Sequence, residues 1–292
     1  MNSSTPGITA IVTAYERGEQ TITTLRRIFA CDPAPAEVIV HVDGNQTRCE
    51  TQIRQTYPDI NIIRSEIRVG PGGARNKLIG AAHHDLVASF DDDSYPLDRD
   101  FFLRARSVCD RFPQAAIVSA SLYHRGEAIE QDTLTARWTA DFCGGACIYR
   151  RTSFLEVDGY VPLPVAYGME EVDLALRLHA RGGRILSTSW LRVFHDTDLE
   201  RHGDSIVTAS SIANLALLTY LRYPVSLWWI GLGQCLKRVL WLVRNGRWRG
   251  IPTGVAMIPT HLRAHQQYRK CIRREQVRSY LSLRRTPLAE TF

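Results

Sequence analysis

The first 110 residues alternate between short β-branched runs and longer helix-like stretches, and this alternation constrains the fold more than any other feature of the chain. The strand-like runs are residues 8–13, 37–42, 60–63 and 86–90, and the helix-like stretches are residues 19–30, 48–56 and 73–82. Strands that alternate with helices of about ten residues predict βαβ units and a largely parallel sheet. Ligands of such sheets bind at the carboxyl ends of the strands.

Polar residues follow three of these predicted strands. Tyr15 follows the first, Asp43 ends the second, and three consecutive acids, Asp91–Asp93, end the fourth. Like charges this close are unfavourable unless a cation offsets them, and carboxylate oxygens suit Mg²⁺ or Mn²⁺. From the residues alone, the three acids are either a metal site that carries a diphosphate or a solvated acidic turn.

The middle of the chain adds a second group of acids. Residues 116–123 and 147–150 are strand-like, and Gly144-Gly145 between them permits close backbone approach. Residues 168–181 predict a helix that begins with Glu170 and Glu171 and is stopped by two glycines. Both acids are expected to stay ionised at this helix N-terminus. Residues 184–194 then form an extended segment that ends at His195.

The C-terminal part differs in charge from the rest. Residues 237–292 hold 13 Lys/Arg and two acids, a balance of +11, whereas the other 236 residues hold 23 Lys/Arg and 28 acids, a balance of −5. Four tryptophans lie in this part, at positions 228, 229, 241 and 248. Aromatic and basic residues on amphipathic helices predict a segment that lies on an anionic membrane. A helical subdomain with basic outer faces, or a surface for homo-oligomer contacts, is the alternative.

Other compositional features narrow the function. The seven cysteines contain a single close pair, so reduced thiols in a cytoplasmic protein are expected. The N-terminus has no basic region before its apolar run, which argues against a secretory signal. Residues 70–73, GPGG, do not match a dinucleotide loop, and no pattern typical of a nucleic-acid-binding module supports such a partner.

Taken in order, five motifs resemble family 2 of the inverting GT-A glycosyltransferases over about 190 residues. They are the loop at Thr13-Ala-Tyr15, Asp43-Gly44, Gly70-Pro-Gly-Gly-Ala-Arg75-Asn76, the three acids, and the Gly144-Gly145 to His195 region. The resemblance implies an α/β GT-A fold, a Rossmann-like mixed sheet flanked by helices, with a C-terminal helical, amphipathic extension. It implies a catalytic domain at residues 1–204, with a nucleotide-binding half at 1–115 and an acceptor half at 116–204. Residues 205–292 would form the extension.

The resemblance also implies roles for the residues that bind the donor. Thr13 and Tyr15 would hold the nucleotide base, Asp43 would recognise a pyrimidine, and Arg75 would lie near the nucleotide. Asp93 would bind Mn²⁺ or Mg²⁺ directly, and either Asp91 or Asp92 would face the ribose. Asp91 and His195 complete the predicted metal set.

Glu170 and Glu171 match the acid pair in which the family carries its general base. An inverting transfer needs a carboxylate that takes the acceptor hydroxyl's proton, and we expect Glu171 to do this, with Glu170 as the alternative. The expected donor is a UDP-, GDP- or dTDP-sugar, and the acceptor a glycan or a lipid-linked glycan in cell-surface polysaccharide, lipopolysaccharide or glycolipid synthesis. The enzyme would act peripherally at the cytoplasmic face of the membrane. The alternative is an inactive GT-A domain that serves as a membrane-tethered scaffold.

Overall fold

A computed structural model describes residues 7–165, 167–197 and 204–292. The N-terminal third of the chain forms a parallel layer of four strands. The strands are β1 (Ile8–Ala14), β2 (Glu37–Val42), β3 (Asn61–Arg64) and β4 (Leu86–Asp91). The helices between them are α1 (Gly18–Phe29), α2 (Thr47–Thr56) and α3 (Gly70–Ala81). The strand order is β4-β1-β2-β3, so the predicted alternation and parallel pairing are confirmed.

The central strand β1 shows why this sheet needs apolar residues on both faces. Val12 packs into the core on the side of α1, and Ile11 packs into the core on the side of α3. Both side chains are fully buried, because successive residues of a strand point to opposite faces and helices cover both faces here. The continuous run ITAIVT is therefore typical of a central strand.

The next part of the chain extends the sheet with mixed pairing. Its strands are β5 (Ser94–Pro96), β6 (Ala115–His124), β7 (Ala136–Thr139), β8 (Ala146–Arg150) and β9 (Arg184–His195). Its helices are α4 (Phe101–Arg111), α5 (Arg151–Leu155) and α6 (Glu170–Ala180). β8 lies antiparallel between β4 and β6, and β9 is parallel to β6. The predicted mixed sheet with flanking helices is thereby confirmed.

Some elements depart from their predicted limits. α3 begins at Gly70, three residues before the predicted start, because Gly70 adopts a φ of +74° that turns the chain into the helix. α4, β5 and β7 were not predicted. The last two are only three and four residues long, too short to show a strand-like period.

The C-terminal part is helical, as predicted. It consists of α7 (Ser205–Arg222), α8 (Trp228–Arg244), α9 (Ile251–Ala264), α10 (Arg274–Arg285) and a short strand, β10 (Leu288–Glu290). Asp204 caps α7 by accepting a hydrogen bond of 2.9 Å from the amide of Ile206. α8 crosses α7 so closely that a Cβ on Gly231 would lie 2.1 Å from Oγ1 of Thr219.

The end of the chain returns to the main sheet. β10 pairs antiparallel with β7, and with it the sheet of the described residues has ten strands, in the order β10-β7-β9-β6-β8-β4-β1-β2-β3 with β5 beside β9. The Tyr280 hydroxyl donates to the carbonyl of Ala140 over 3.1 Å. Residues 198–203, next to the predicted boundary at 204, lie outside the described residues, and that boundary stays a prediction.

Candidate active site

The carboxyl edge of the parallel strands borders a cleft of about 460 Å³. β4, β1 and β2 are adjacent and parallel, so the segments that follow them meet at this edge. The cleft is lined by seven of the ten predicted site residues, namely Thr13, Tyr15, Asp43, Asp91, Asp92, Asp93 and His195. Arg17 and Arg68 also line it, and neither was predicted from the sequence.

Each of the three consecutive acids has a different set of partners. Asp91 forms an ion pair with Arg75 and accepts a hydrogen bond of 3.0 Å from Oγ1 of Thr13. Asp92 pairs with Arg17, whose Nε lies 3.0 Å from Oδ2 of Asp92. Asp93 pairs with the same arginine. The repulsion among three adjacent carboxylates is thus offset by two guanidinium groups within the protein.

Burial and partners set the protonation of these acids differently. Burial raises the pKa of Asp92 to about 7, and the Arg17 guanidinium opposes this rise only in part. Asp93 is also buried, but its contacts with His195 and Arg17 outweigh the desolvation and hold its pKa below the usual value. Asp93 therefore carries a negative charge at neutral pH.

Asp93 and His195 are the pair that fits a metal ion. Nε2 of His195 lies 3.1 Å from Oδ1 of Asp93, and this buried oxygen has no partner in hydrogen-bonding geometry. β5 places them together, because Ser94 pairs with His195 across β5 and β9. Among the described residues, no group of three or more His, Cys, Asp or Glu side chains is arranged to hold a metal ion. A metal here would need further ligands from a bound molecule.

Tyr15 and Asp43 line the predicted nucleotide end of the cleft. Both carboxylate oxygens of Asp43 accept backbone hydrogen bonds, from the amide of Val69 at 2.8 Å and of Gly70 at 2.9 Å. Asp43 therefore ties β2 to the start of α3. The guanidinium carbon of Arg68 lies 4.4 Å from the ring centre of Tyr15, so a cation and an aromatic face stand together at the rim.

Arg75 joins the two halves of the site. Its side chain is 2% exposed. It pairs with Asp91, donates to the carbonyl of Gly144 over 3.1 Å, and places Nη1 3.4 Å from Oε1 of Glu170. Arg75 does not line the cleft itself but contacts Asp91, which does, and its place near a bound nucleotide stays a prediction. Its contact with Glu170, across 95 positions of sequence, was not expected.

Glycines make this close packing possible. A Cβ on Gly145 would lie 2.1 Å from Oδ2 of Asp91, and a Cβ on Gly144 would lie 3.0 Å from the guanidinium carbon of Arg75. On the other side, a Cβ on Gly72 would lie 2.7 Å from the carboxyl carbon of Glu170. The close backbone approach expected at residues 144–146 is confirmed.

The two glutamates differ in exposure. The Glu170 side chain is 2% exposed, and its Oε2 has no hydrogen-bond partner, whereas Glu171 is partly exposed. Burial raises the pKa of Glu170 to about 8, with the charge of Glu171 acting in the same direction. Burial also raises the pKa of Glu171, and Arg75 opposes that rise. The expectation that both acids stay ionised is wrong for Glu170, because desolvation outweighs the helix dipole.

A second buried ion network fixes the helix that carries these glutamates. Asp173 on α6 pairs with Arg177 of the same helix and with Arg222 at the end of α7. Arg222 also donates to the carbonyl of Tyr268 over 2.8 Å. The sequence did not predict a role for Arg222, because a single charge at the end of an apolar helix does not indicate a partner 49 positions away.

The family model for glycosyl transferase family 2 matches residues 9–157. The succinoglycan biosynthesis protein ExoO of Rhizobium meliloti (strain 1021) is 31% identical over 90 residues, which are 30% of this chain and 26% of ExoO. The aligned part therefore spans about a quarter of that relative.

Several solved structures share the fold. GalNAc-T7 with UDP, GalNAc and Mn²⁺ superposes with a TM-score of 0.59 and 13% identity, over 77% of this chain and 49% of that chain. S. aureus TarS with UDP-GlcNAc gives a TM-score of 0.57 and 16% identity, over 89% of this chain and 92% of that chain. The mannosyltransferase PcManGT of Pyrobaculum calidifontis, with GDP-Man and Mn²⁺, gives a TM-score of 0.55 and 15% identity. That match covers 96% of this chain and 87% of PcManGT. At these identities the likeness concerns the fold, and the predicted GT-A class is confirmed.

Proposed function

The chain belongs to glycosyl transferase family 2, and we propose that it transfers a sugar from a nucleotide-diphosphate donor to a hydroxyl acceptor with inversion. One observation carries the proposal. Arg75 contacts an acid of the donor cleft, Asp91, and an acid of the acceptor half, Glu170. A donor and an acceptor bound on the two sides of Arg75 would therefore meet at one point.

The donor is proposed to bind along the carboxyl edge of β1, β2 and β4. Tyr15, flanked by Arg68, offers a face on which a base stacks, and Thr13 and Asp43 stand beside it. Asp91 or Asp92 would contact the ribose, and a UDP-, GDP- or dTDP-sugar is the expected class. Arg17 lines the cleft and would supply a cation for the diphosphate, whereas the buried Arg75 would act on the donor through its ion pair with Asp91.

A divalent metal is proposed to bind at Asp93 and His195, with further ligands from the diphosphate; Asp91, the third member of the predicted set, would join them only by leaving its ion pair with Arg75. When bound, it would offset the negative charge that grows on the leaving diphosphate. The ionised Asp93 and the His195 ring, 3.1 Å apart, support this role. Carboxylates suit both Mg²⁺ and Mn²⁺, whereas imidazole is a ligand of transition metals, so His195 favours Mn²⁺.

Glu171 is proposed as the general base and Glu170 as a residue that positions Arg75. A base must reach the acceptor hydroxyl and must be ionised to accept its proton. Glu171 is partly exposed, whereas Glu170 is buried against Arg75 and Gly72 and has a pKa of about 8. This difference in access supports the choice.

The acceptor is proposed to be a glycan or lipid-linked glycan at the cytoplasmic face of a membrane. ExoO, by its name, belongs to succinoglycan biosynthesis, and the basic, Trp-rich extension suits an anionic surface. None of the helices among the described residues has the length and apolarity needed to span a bilayer. An inactive, membrane-tethered scaffold is the competing proposal.

A panel of sugar nucleotides, tested for thermal stabilisation with and without Mn²⁺, separates these proposals. A ligand that binds the native state alone raises the melting temperature. We expect one nucleotide class to stabilise the protein, more strongly with Mn²⁺, and the matching sugar nucleotide to be hydrolysed slowly without acceptor. Binding without turnover, or no binding by any nucleotide, would overturn the transfer proposal and favour the scaffold.

A further inference from the structure

The helices between residues 205 and 264 enclose a groove that is separate from the catalytic cleft. Its volume is about 550 Å³, within the range of small-molecule sites. α7 forms its floor and α8 and α9 its walls, through residues that include Ala216, Tyr220, Trp228, Leu232, Ile258 and Leu262. A groove of this size is large enough to take a ligand.

The polar side-chain atoms that line the groove are engaged within the protein, and the Tyr220 hydroxyl contacts Arg269 at the rim. Oγ1 of Thr219 donates to the carbonyl of Leu215 over 3.1 Å. The indole nitrogens of Trp228 and Trp229 donate to backbone carbonyls over 3.2 and 3.1 Å. Because these polar atoms are already engaged within the protein, the walls present carbon and sulfur surface. A polar ligand would lose its water contacts here without replacement, whereas a hydrocarbon chain would not.

A cation stands at the rim of the groove. The guanidinium carbon of Arg269 lies 4.6 Å from the ring centre of Tyr220 and 5.9 Å from that of Trp228, both of which line the groove. Arg269 is exposed and has no carboxylate partner among the described residues. An apolar groove whose rim carries a cation that no described carboxylate neutralises matches an amphiphile with an anionic head.

The outer face of α8 continues this apolar surface. Five side chains that share one face of the helix are 66, 72, 58, 47 and 55% exposed, namely Trp229, Leu232, Leu236, Leu240 and Val243. Ten of the 19 exposed large hydrophobic side chains in the described residues lie between positions 225 and 255. Lys237 and Arg244 border this face. Apolar stripes of this kind lie in the interface of a bilayer.

Charge decides between a membrane and a second copy of the chain as the partner of this surface. Residues 205–274 contain 11 Lys/Arg and no Asp or Glu, and two of the 11, Arg222 and Lys270, pair with acids elsewhere in the chain. Two copies that met through this surface would bring cations together with no acid to offset them. An anionic lipid surface supplies that charge, with each basic residue near it contributing about 1 kcal/mol.

We propose that the groove between α7, α8 and α9 binds the hydrocarbon chain of an anionic membrane lipid, with Arg269 at its headgroup. A role in presenting a lipid-linked acceptor rests on the proposed transferase function, whereas chain binding does not. Truncation after residue 204 is a poor test, because α10 and β10 pack on the catalytic body. Single substitutions in the full chain avoid this problem.

The half-buried thiol of Cys235 lines the groove and reports its occupancy. We would measure its alkylation by a maleimide, by mass spectrometry, with monomeric lysophosphatidylglycerol below its micelle concentration. Cys143, partly exposed and outside the groove, is the internal reference, because Nη2 of Arg269 lies 3.7 Å from the sulfur of Cys271. Alkylation of Cys235 should slow by about tenfold at lipid concentrations ten times the Kd, with saturation at one chain per protein. Glycerol phosphate, which has no chain, should not protect it.

Two variants with matched controls sharpen the test. Ala216→Phe fills the floor of the groove and should remove the protection, whereas Ala256→Phe, on the exposed side of α9, should retain it. Arg269→Gln should weaken binding of lysophosphatidylglycerol by about fivefold but leave binding of neutral lysophosphatidylcholine unchanged. The control, Arg285→Gln, should leave the binding of both lipids unchanged.

Equal protection in Ala216→Phe and wild type, or protection by glycerol phosphate, would overturn the proposal. Concentration-dependent dimerisation that protects Cys235 without lipid would assign the surface to a second copy instead. Thermal stabilisation by sugar nucleotides, measured on the same samples, tests the transferase function separately, so either proposal can fail while the other stands.

Discussion

The catalytic edge and the 225–255 region handle charge in opposite ways. At the edge, the described acids Asp91, Asp92 and Asp93 each pair with an arginine, and the pairs are largely buried. Between positions 225 and 255, five basic residues stand beside exposed apolar side chains with no acid in that stretch. Buried charges need internal partners, whereas exposed unpaired charges remain available to an outside one. This difference is the one expected between a region proposed for chemistry and a region proposed for contact with a partner.

The largest effect that would test this contrast is expected at Glu171. Glu171→Gln keeps the shape of the side chain but cannot accept the acceptor's proton, so kcat should fall by about a thousandfold, while the donor Kd stays unchanged. The measurements are steady-state kinetics and calorimetric donor binding. Glu275→Gln, on α10 and remote from the cleft, is the control. Should Glu170→Gln alone cause the loss in kcat, the base is the neighbouring residue.

A buried, paired arginine and an exposed arginine should respond differently to truncation. Arg222→Ala leaves the buried Asp173 with one cation fewer and should lower the free energy of unfolding by about 3–5 kcal/mol. Arg244→Ala, on the exposed part of α8, should change it by less than about 0.5 kcal/mol. Urea denaturation measures both. Equal effects of the two substitutions would contradict the contrast between buried and available charge.

The metal prediction concerns Asp93. Asp93→Asn should weaken Mn²⁺-dependent donor binding by about a hundredfold, since it removes the ionised oxygen beside His195 while retaining the side chain's shape. Titration calorimetry with and without Mn²⁺ gives the change, and Asp110→Asn, whose side chain is exposed, serves as the control. Donor binding that is identical with a chelator present would contradict the metal site.

A smaller, pH-dependent effect is expected from His41 in β2. Its ring is fully buried, Nε2 lies 2.8 Å from Oγ of Ser65, Nδ1 has no partner, and burial lowers its pKa to about 4. Below pH 6.5 the His41 ring binds a proton in the unfolded state but not in the folded state. The free energy of unfolding therefore falls as the pH decreases from 6.5 toward 4. The loss from this group should be about 2 kcal/mol between pH 7 and pH 5.

Urea denaturation at several pH values checks this expectation. A His41→Gln variant should be less stable overall but should lack this part of the pH dependence. The same slope in the variant and in the wild type would show that another group is responsible.

Local sequence patterns predicted much of the fold and part of the site. The β-branched runs located β1, β2 and β4 to within a few residues, because a strand covered on both faces must be apolar throughout. The residues after those strands then had to share one edge of the sheet. This is why seven of the ten predicted site residues line a single cleft.

The pattern did not reveal the partners of buried charges. Three adjacent acids imply nearby cations, yet nothing in the sequence selects Arg17 for Asp92 or Arg222 for Asp173. Those pairs join positions 75 and 49 residues apart, and they form because the sheet order and the crossing of α6 and α7 bring the side chains together.

The sequence by itself determined the alternating strands and helices, the polar residues at the strand ends, and the basic, Trp-rich C-terminal part. These are local properties, set by side-chain volume, β-branching and charge within a few positions. Only the tertiary structure decided that Glu170 is buried against Arg75, that α10 and β10 pack on the catalytic body, and that α8 leaves an apolar face exposed. The physical reason is that burial depends on which elements pack together, and desolvation then sets the charge and reach of each side chain.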